Sequence, residues 1–179
     1  MSPLHRSLIV AAGVAMAWVH SGCAAQTDLD GGPTSPVREL RACTVTRIVD
    51  GDTLDCDPVG RVRLIGVDSP ERAQAPFGSM ATEALDGLIP PGGEVSVEAD
   101  VENQDQYGRA LRYVWVDGRM LNWALVRGGH AVLLTYPPNV QYVDLFRAAQ
   151  DAAQADGAGL WSADGFACLP QAYRRGACR

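Results

Sequence analysis

The chain has 179 residues, 47% of them hydrophobic and 20% charged, which is enough for one ordinary core and excludes several domains of usual size. Its formal charge of −6 runs against a nucleic-acid binder that relies on a basic surface overall. Every positive side chain other than histidine is an arginine, a pattern that compositional bias explains more simply than a functional choice of guanidinium.

Residues 1–25 read as an export signal. Arg6 supplies a positive start, Leu8 to Val19 an apolar stretch, and small residues follow at Ser21, Gly22, Ala24 and Ala25. The stretch is short for a membrane span. Cys23 lies where a lipoprotein signal carries its acylated cysteine, although His20 stands in place of the usual leucine; lipid anchoring and plain secretion both stay open. Residues 26–40 mix Pro, Gly, Thr and Asp without period and are expected to be a flexible linker with no chemistry.

From Cys43 a β-branched, alternating run predicts a strand that ends at Asp50-Gly51. A second strand follows from Thr53 to Asp57, and a turn at Pro58-Val59-Gly60 leads to a third, Arg61 to Val67. Pro70 ends this meander. Ala81, Ala84, Leu85 and Leu88 recur at helical spacing until Pro90-Pro91 stops the helix. Val95 and Val97 mark a fourth strand; the fifth runs from Arg109 to Val116 and closes at Asp117-Gly118. A short helix over Met120 to Arg127 ends at Gly128-Gly129, and a last helix places Tyr142, Phe146, Ala149 and Ala153 on one face. Five strands in two groups with a helix between them predict a mainly β, OB-type Greek-key barrel over residues 41–161 with about three helices. Trp115, Trp123 and Trp161 are expected in the core, and His130 as a packing or surface residue.

Apart from Cys23 there are four cysteines, Cys43, Cys56, Cys168 and Cys178, as fits an oxidising compartment. Three pairings are open, with the local ones, Cys43 to Cys56 and Cys168 to Cys178, favoured; no C-x-x-C spacing and no nearby histidine supports a zinc site. The second pair would staple a tail over residues 162–179.

Three segments carry the chemistry: Ile48-Val49-Asp50-Gly51-Asp52-Thr53-Leu54, then Val62-Arg63-Leu64-Ile65-Gly66-Val67-Asp68-Ser69-Pro70-Glu71, then Asp105-Gln106-Tyr107-Gly108-Arg109. Hydrolysis of a phosphodiester needs a hard cation, a group that orients or deprotonates water, and cations for the nonbridging oxygens. Asp52 and Asp68, at the ends of neighbouring strands, can converge on one ion, and the backbone carbonyl of Ser69 can add an oxygen. Oxygen-only ligation favours calcium or magnesium over zinc. Asp50 would hold water on that ion, or serve simply as a turn residue. Glu71 is placed to act on a water, as base or as orienting group. Arg63 and Arg109 offer planar, two-pronged donors to phosphate; Arg61, Arg112 and Arg119 read as solvated surface. Tyr107 and Tyr136 are candidates to contact the substrate, with a buried, satisfied tyrosine as the equal alternative for each.

In order and spacing these segments resemble the signature segments of the staphylococcal nuclease (thermonuclease) family, and the likeness extends through Asn122-Trp123-Ala124-Leu125-Val126 to Gly159-Leu160-Trp161. The resemblance implies a calcium-dependent endonuclease, monomeric, acting on DNA and RNA, with Ca2+ as its ion. Ser69 departs from the family's threonine, and Leu134 stands where a second tyrosine is common. A catalytically silent binding module on the same fold is the alternative, but such modules lose carboxylates that this chain keeps; an envelope lipoprotein with merely an inherited fold is another.

Overall fold

The computed structural model describes residues 31–178; the expected export signal, Cys23 and residues 26–30 lie outside the described residues. Strands β1 (Leu40–Asp50), β2 (Thr53–Asp57) and β3 (Gly60–Leu64) form the antiparallel meander. A two-residue strand β4 (Val67–Asp68) and helix α1 (Phe77–Leu88) follow, then β5 (Glu94–Glu98) and β6 (Ala110–Val116). β1 pairs with both β2 and β5, β5 pairs with β6, and a parallel β3–β6 pairing closes the ring. The result is the five-stranded barrel that the alternation predicts, with no free edge among its five strands.

Alternation decides which side chains fill the barrel. Leu54 and Cys56, Val62 and Leu64, and Val95 and Val97 point inward two by two and are buried together. β1 breaks the rule: register shifts between Val45 and Arg47 and between Ile48 and Asp50 let Val45 and Ile48, three apart, both pack on the core. Such bulges bend the strand, so that one long strand serves two neighbours. Helix α2 (Leu121–Arg127) follows the short strand β7 (Arg119–Met120) and adds Leu121, Leu125 and Val126 to the same core. Strand β8 (Val132–Leu133) pairs with β4, and helix α3 (Val143–Ala155) buries Phe146, Ala149 and Ala153 as its spacing predicts. Trp115 is buried, while Trp123 and Trp161 are only partly so.

Three expectations are corrected. The third strand does not run to Val67; it stops at Leu64, and the chain turns at Gly66 before β4 pairs with β8. Among the described residues the expected three helices lie within residues 41–161 as α1, α2 and α3, and a fourth, α4 (Pro170–Arg174), follows a 3-10 turn at Gly159–Ala163 in the tail. Five residues are too few to show a period. The described part of the linker is not loose: Gly32 and Pro33 are buried, and the amides of Val37 and Arg38 donate to Glu98 Oε1 at 3.0 and 2.8 Å. Glu98 is fully buried and also accepts from Trp115 Nε1 and the Tyr142 hydroxyl, so a carboxylate that composition cannot locate collects these donors. Arg112 is half-buried and donates to the carbonyls of Asn103 and Leu111, so it is no simple solvated side chain. Both favoured disulfides are formed, Cys43–Cys56 with Cα atoms 5.7 Å apart and Cys168–Cys178 with 5.9 Å.

Candidate active site

The cleft begins at the tight turn between β1 and β2. Gly51 has no side chain because a Cβ there would come within 2.7 Å of Ala81 and 2.8 Å of Ser69; the close approach seats the turn against α1 and the end of β4. Asp52 follows at once, and the β2–β3 register places Thr53 opposite Arg63. Arg63 therefore reaches back: its Nε lies 3.1 Å from Asp52 Oδ1 and its Nη2 3.3 Å from Asp68 Oδ1. Its Nη1 donates to the carbonyls of Leu64 and Val67 at 2.7 and 2.8 Å. One guanidinium thus spans both carboxylates and ties the end of β3 to β4, the strand that carries Asp68.

Both carboxylates are deeply placed, Asp52 at 6% and Asp68 at 1% exposure. Asp52 Oδ2 accepts from the amide of Ser69 at 2.9 Å and from its hydroxyl at 3.1 Å. Ser69 is thereby tied to Asp52 through its amide and side chain, in addition to any use of its carbonyl. Burial pushes the Asp68 carboxyl above the ordinary carboxylate range, even though Arg174 and Arg63 pull it down. Burial, then repulsion from Asp52, raises Asp50 as well. Asp50 Oδ1 accepts from the Asp52 amide at 3.2 Å, which is the turn contact expected of it, and its side chain also faces the cleft.

Glu71 stands on the loop after β4. Its amide donates to Gln74 Oε1 at 2.8 Å, and Gly78 of α1 packs so close to its carbonyl that no Cβ fits between. The loop is consequently fixed by α1 while the carboxylate faces the cleft, its side chain 37% exposed. On the opposite wall Arg109 Nε donates to Asp105 Oδ2 at 2.7 Å, and its guanidinium lies 5.5 Å over the Tyr107 ring. Burial acts to raise the Asp105 carboxyl, but hydrogen bonds from Arg109 and from the Arg109 and Tyr107 amides leave it below its ordinary value. Tyr107 and Tyr136 are 74% and 72% exposed on the cleft rim, so the buried-tyrosine alternative is set aside for both. Leu134 lines the same cleft.

The cleft is an open hollow of about 720 Å³ that takes in Asp50, Asp52, Arg63, Glu71, Arg109 and both tyrosines. Asp68 lies just behind its wall, joined through Arg63. A residue that sequence reasoning passed over also enters it: Arg174 of α4 places Nη1 and Nη2 each 2.9 Å from an oxygen of Asp68, and Nη1 2.6 Å from Glu71 Oε1. These bonds raise the Arg174 guanidinium above its ordinary value. The only hint in the sequence is Arg174-Arg175 inside the Cys168…Cys178 loop.

Among the described residues no three His, Cys, Asp or Glu side chains gather closely enough to hold a metal between them. A cation would depend on Asp52 and Asp68 with backbone and water oxygens. The donor chemistry fits a hard ion of that kind: the donors are oxygens only, and the two buried carboxylates already share one cationic group, Arg63.

A five-stranded barrel with carboxylates and arginines converging in an open cleft is the frame of a phosphodiester hydrolase. Residues 61–163 match the family model described as "Staphylococcal nuclease homologue". The chain is 39% identical over 125 residues to a protein named Thermonuclease of Staphylococcus intermedius, covering 65% of this chain and 74% of that one. It is 33% identical over 159 residues to Endonuclease YncB of Bacillus subtilis (strain 168), covering 82% and 75%, and 37% identical over 150 residues to Protein ParB of Escherichia coli, covering 76% and 80%. The chain belongs to the staphylococcal nuclease family.

Proposed function

We propose that this nuclease is an exported, calcium-dependent enzyme that hydrolyses the phosphodiester bonds of DNA and RNA. The observation that supports the reading is the gathering of Asp52, Arg63, Glu71 and Arg109 around one hollow, with Asp68 joined through Arg63.

Asp52, Asp68 and the backbone carbonyl of Ser69 would hold the ion, and Asp50 would order water beside it. Calcium, when bound, supplies positive charge for the phosphate and a place for water. Glu71 takes the proton of the attacking water or orients it. Arg109, on the open wall, donates to the nonbridging oxygens as negative charge develops on them; Arg63 lends its charge from the cleft floor, where it also keeps the carboxylates in place. Tyr107 and Tyr136 offer faces on which bases stack or edges that meet phosphate.

An acidic chain meets a polyanion here through a local arrangement of cations, so binding should be modest in affinity and fall steeply with salt. Two disulfides suit a compartment that is oxidising, and the signal-like residues 1–25 support export, with acylation of Cys23 as a route to a membrane anchor. The described residues contain no helix long and apolar enough to cross a membrane. Supercoiled plasmid incubated with calcium or with EGTA tests the reading: cleavage only with calcium is expected, while cleavage indifferent to chelator removes the calcium mechanism and no cleavage at all favours a silent binding module.

A further inference from the structure

The tail after the 3-10 turn is built into the site. Phe166 and Leu160 are buried against Val132 of β8, the strand that pairs with the Asp68 strand. Gln74 then joins two segments: its Oε1 accepts from the Glu71 amide, and its Nε2 donates to the Cys168 carbonyl at 2.9 Å. The Tyr173 hydroxyl donates to the Ala73 carbonyl at 3.4 Å. The Cys168–Cys178 disulfide closes a loop over a sequence separation of 10 around α4. Anchors on both sides of α4 hold Arg174 at the mouth of the carboxylate cluster.

How Arg174 spends its donors distinguishes two roles. A guanidinium meant for phosphate keeps its fork turned to the open cleft; this one grips both oxygens of Asp68 and also Glu71 Oε1. Two-pronged pairing of this kind is among the stronger polar contacts a protein makes. Asp68 cannot present the same oxygens freely to a cation while Arg174 holds them, and Glu71 cannot turn fully toward water. We propose that the disulfide-closed tail carries an internal competitor for the divalent cation, in which Arg174 restrains Asp68 and Glu71 until the ion displaces it. The inference rests on the calcium reading above. Its consequence is a raised calcium threshold, set by the tail, below which the enzyme stays restrained.

The test is calorimetric titration of the purified protein with calcium chloride, beside Arg174→Ala and the double variant Cys168→Ser/Cys178→Ser. The Arg174 side chain is 41% exposed, and a pair so placed is partly screened, so Arg174→Ala should tighten calcium binding on the order of fivefold to tenfold. Opening the staple should move affinity in the same direction. The calcium concentration for half-maximal DNA cleavage should fall by the same factor, with kcat at saturating calcium within about twofold of the parent. Unchanged calcium affinity in Arg174→Ala, with binding intact in the parent, overturns the competitor alone. A fall in kcat at saturating calcium without tighter binding overturns it in favour of a substrate-facing role. A parent protein that binds no calcium overturns both this inference and the reading beneath it.

Discussion

Arg63→Ala should cost the fold about 3–4 kcal/mol at pH 8 in EDTA, a figure that follows from what the guanidinium touches. Its side chain is 12% exposed and bridges Asp52 and Asp68, whose side chains are 9% and 2% exposed. Breaking a buried pair by removing one partner costs roughly 3–5 kcal/mol, chiefly because an uncompensated charge remains. The lower part of that range applies, since Asp68 keeps Arg174 and Asp52 keeps the Ser69 amide and hydroxyl. For a chain of this size the loss corresponds to a Tm drop of roughly 6–16 °C. The pH dependence has a definite sign. Burial already holds Asp68 above its ordinary value and Arg63 opposes that shift, so without Arg63 the folded protein binds the proton more tightly still. The penalty is then largest where the carboxylate must be ionised and shrinks as pH falls. Urea unfolding at pH 8 and pH 5 measures it, with Arg61→Ala as the surface control, because Arg61 is 47% exposed and its partner Asp55 keeps a second cation in Arg47. A cost below about 1 kcal/mol, or one equal at both pH values, refutes Arg63 as the counter-ion of a buried carboxylate pair.

Other perturbations test separate parts of the account. Glu98→Ala leaves the Trp115 indole N–H, the Tyr142 hydroxyl and the Val37 and Arg38 amides without their acceptor; a loss of about 2–4 kcal/mol is expected in urea unfolding, with faster proteolysis ahead of β1. Burial holds the His130 imidazole below its ordinary 6.5. The unfolded chain therefore takes up that proton first as pH falls, and stability is lost from about pH 6.5 down to the lower folded value; His130→Gln should flatten this part of the stability profile. Tyr107→Ala should raise KM for single-stranded DNA about fivefold or more with a smaller effect on kcat, as loss of a stacking face predicts; steady-state kinetics on a short oligonucleotide separates the two.

The barrel was legible because its strands alternate and its turns carry Asp-Gly, Pro and Gly where the backbone reverses. The core of the site was legible for a related reason: Asp52 closes the turn that leads into β2, Arg63 lies on the adjacent β3, and their contact follows from the Thr53–Arg63 register. What stayed hidden depends on distant chain segments. Arg174 lies 106 residues from Asp68 and 103 from Glu71, on a helix too short to have a periodic face. The segment ahead of β1 has no pattern of its own and is ordered by Glu98, a single carboxylate that looks in sequence like any strand-end charge. Bulges in β1 likewise leave no mark beyond a broken alternation. Exposure was undetermined too: nothing local in Tyr107 or Tyr136 tells a rim residue from a buried one, and only the folded cleft separates them.

The central claim is that Glu71 acts on water beside the paired carboxylates. Single-turnover cleavage of a short DNA strand by Glu71→Gln, at saturating calcium and enzyme, tests it most directly. A rate reduced by about 10²–10⁴, with oligonucleotide affinity and thermal stability close to the parent, is the predicted result. A rate within a few-fold of the parent contradicts the assignment and moves the chemistry away from this cleft.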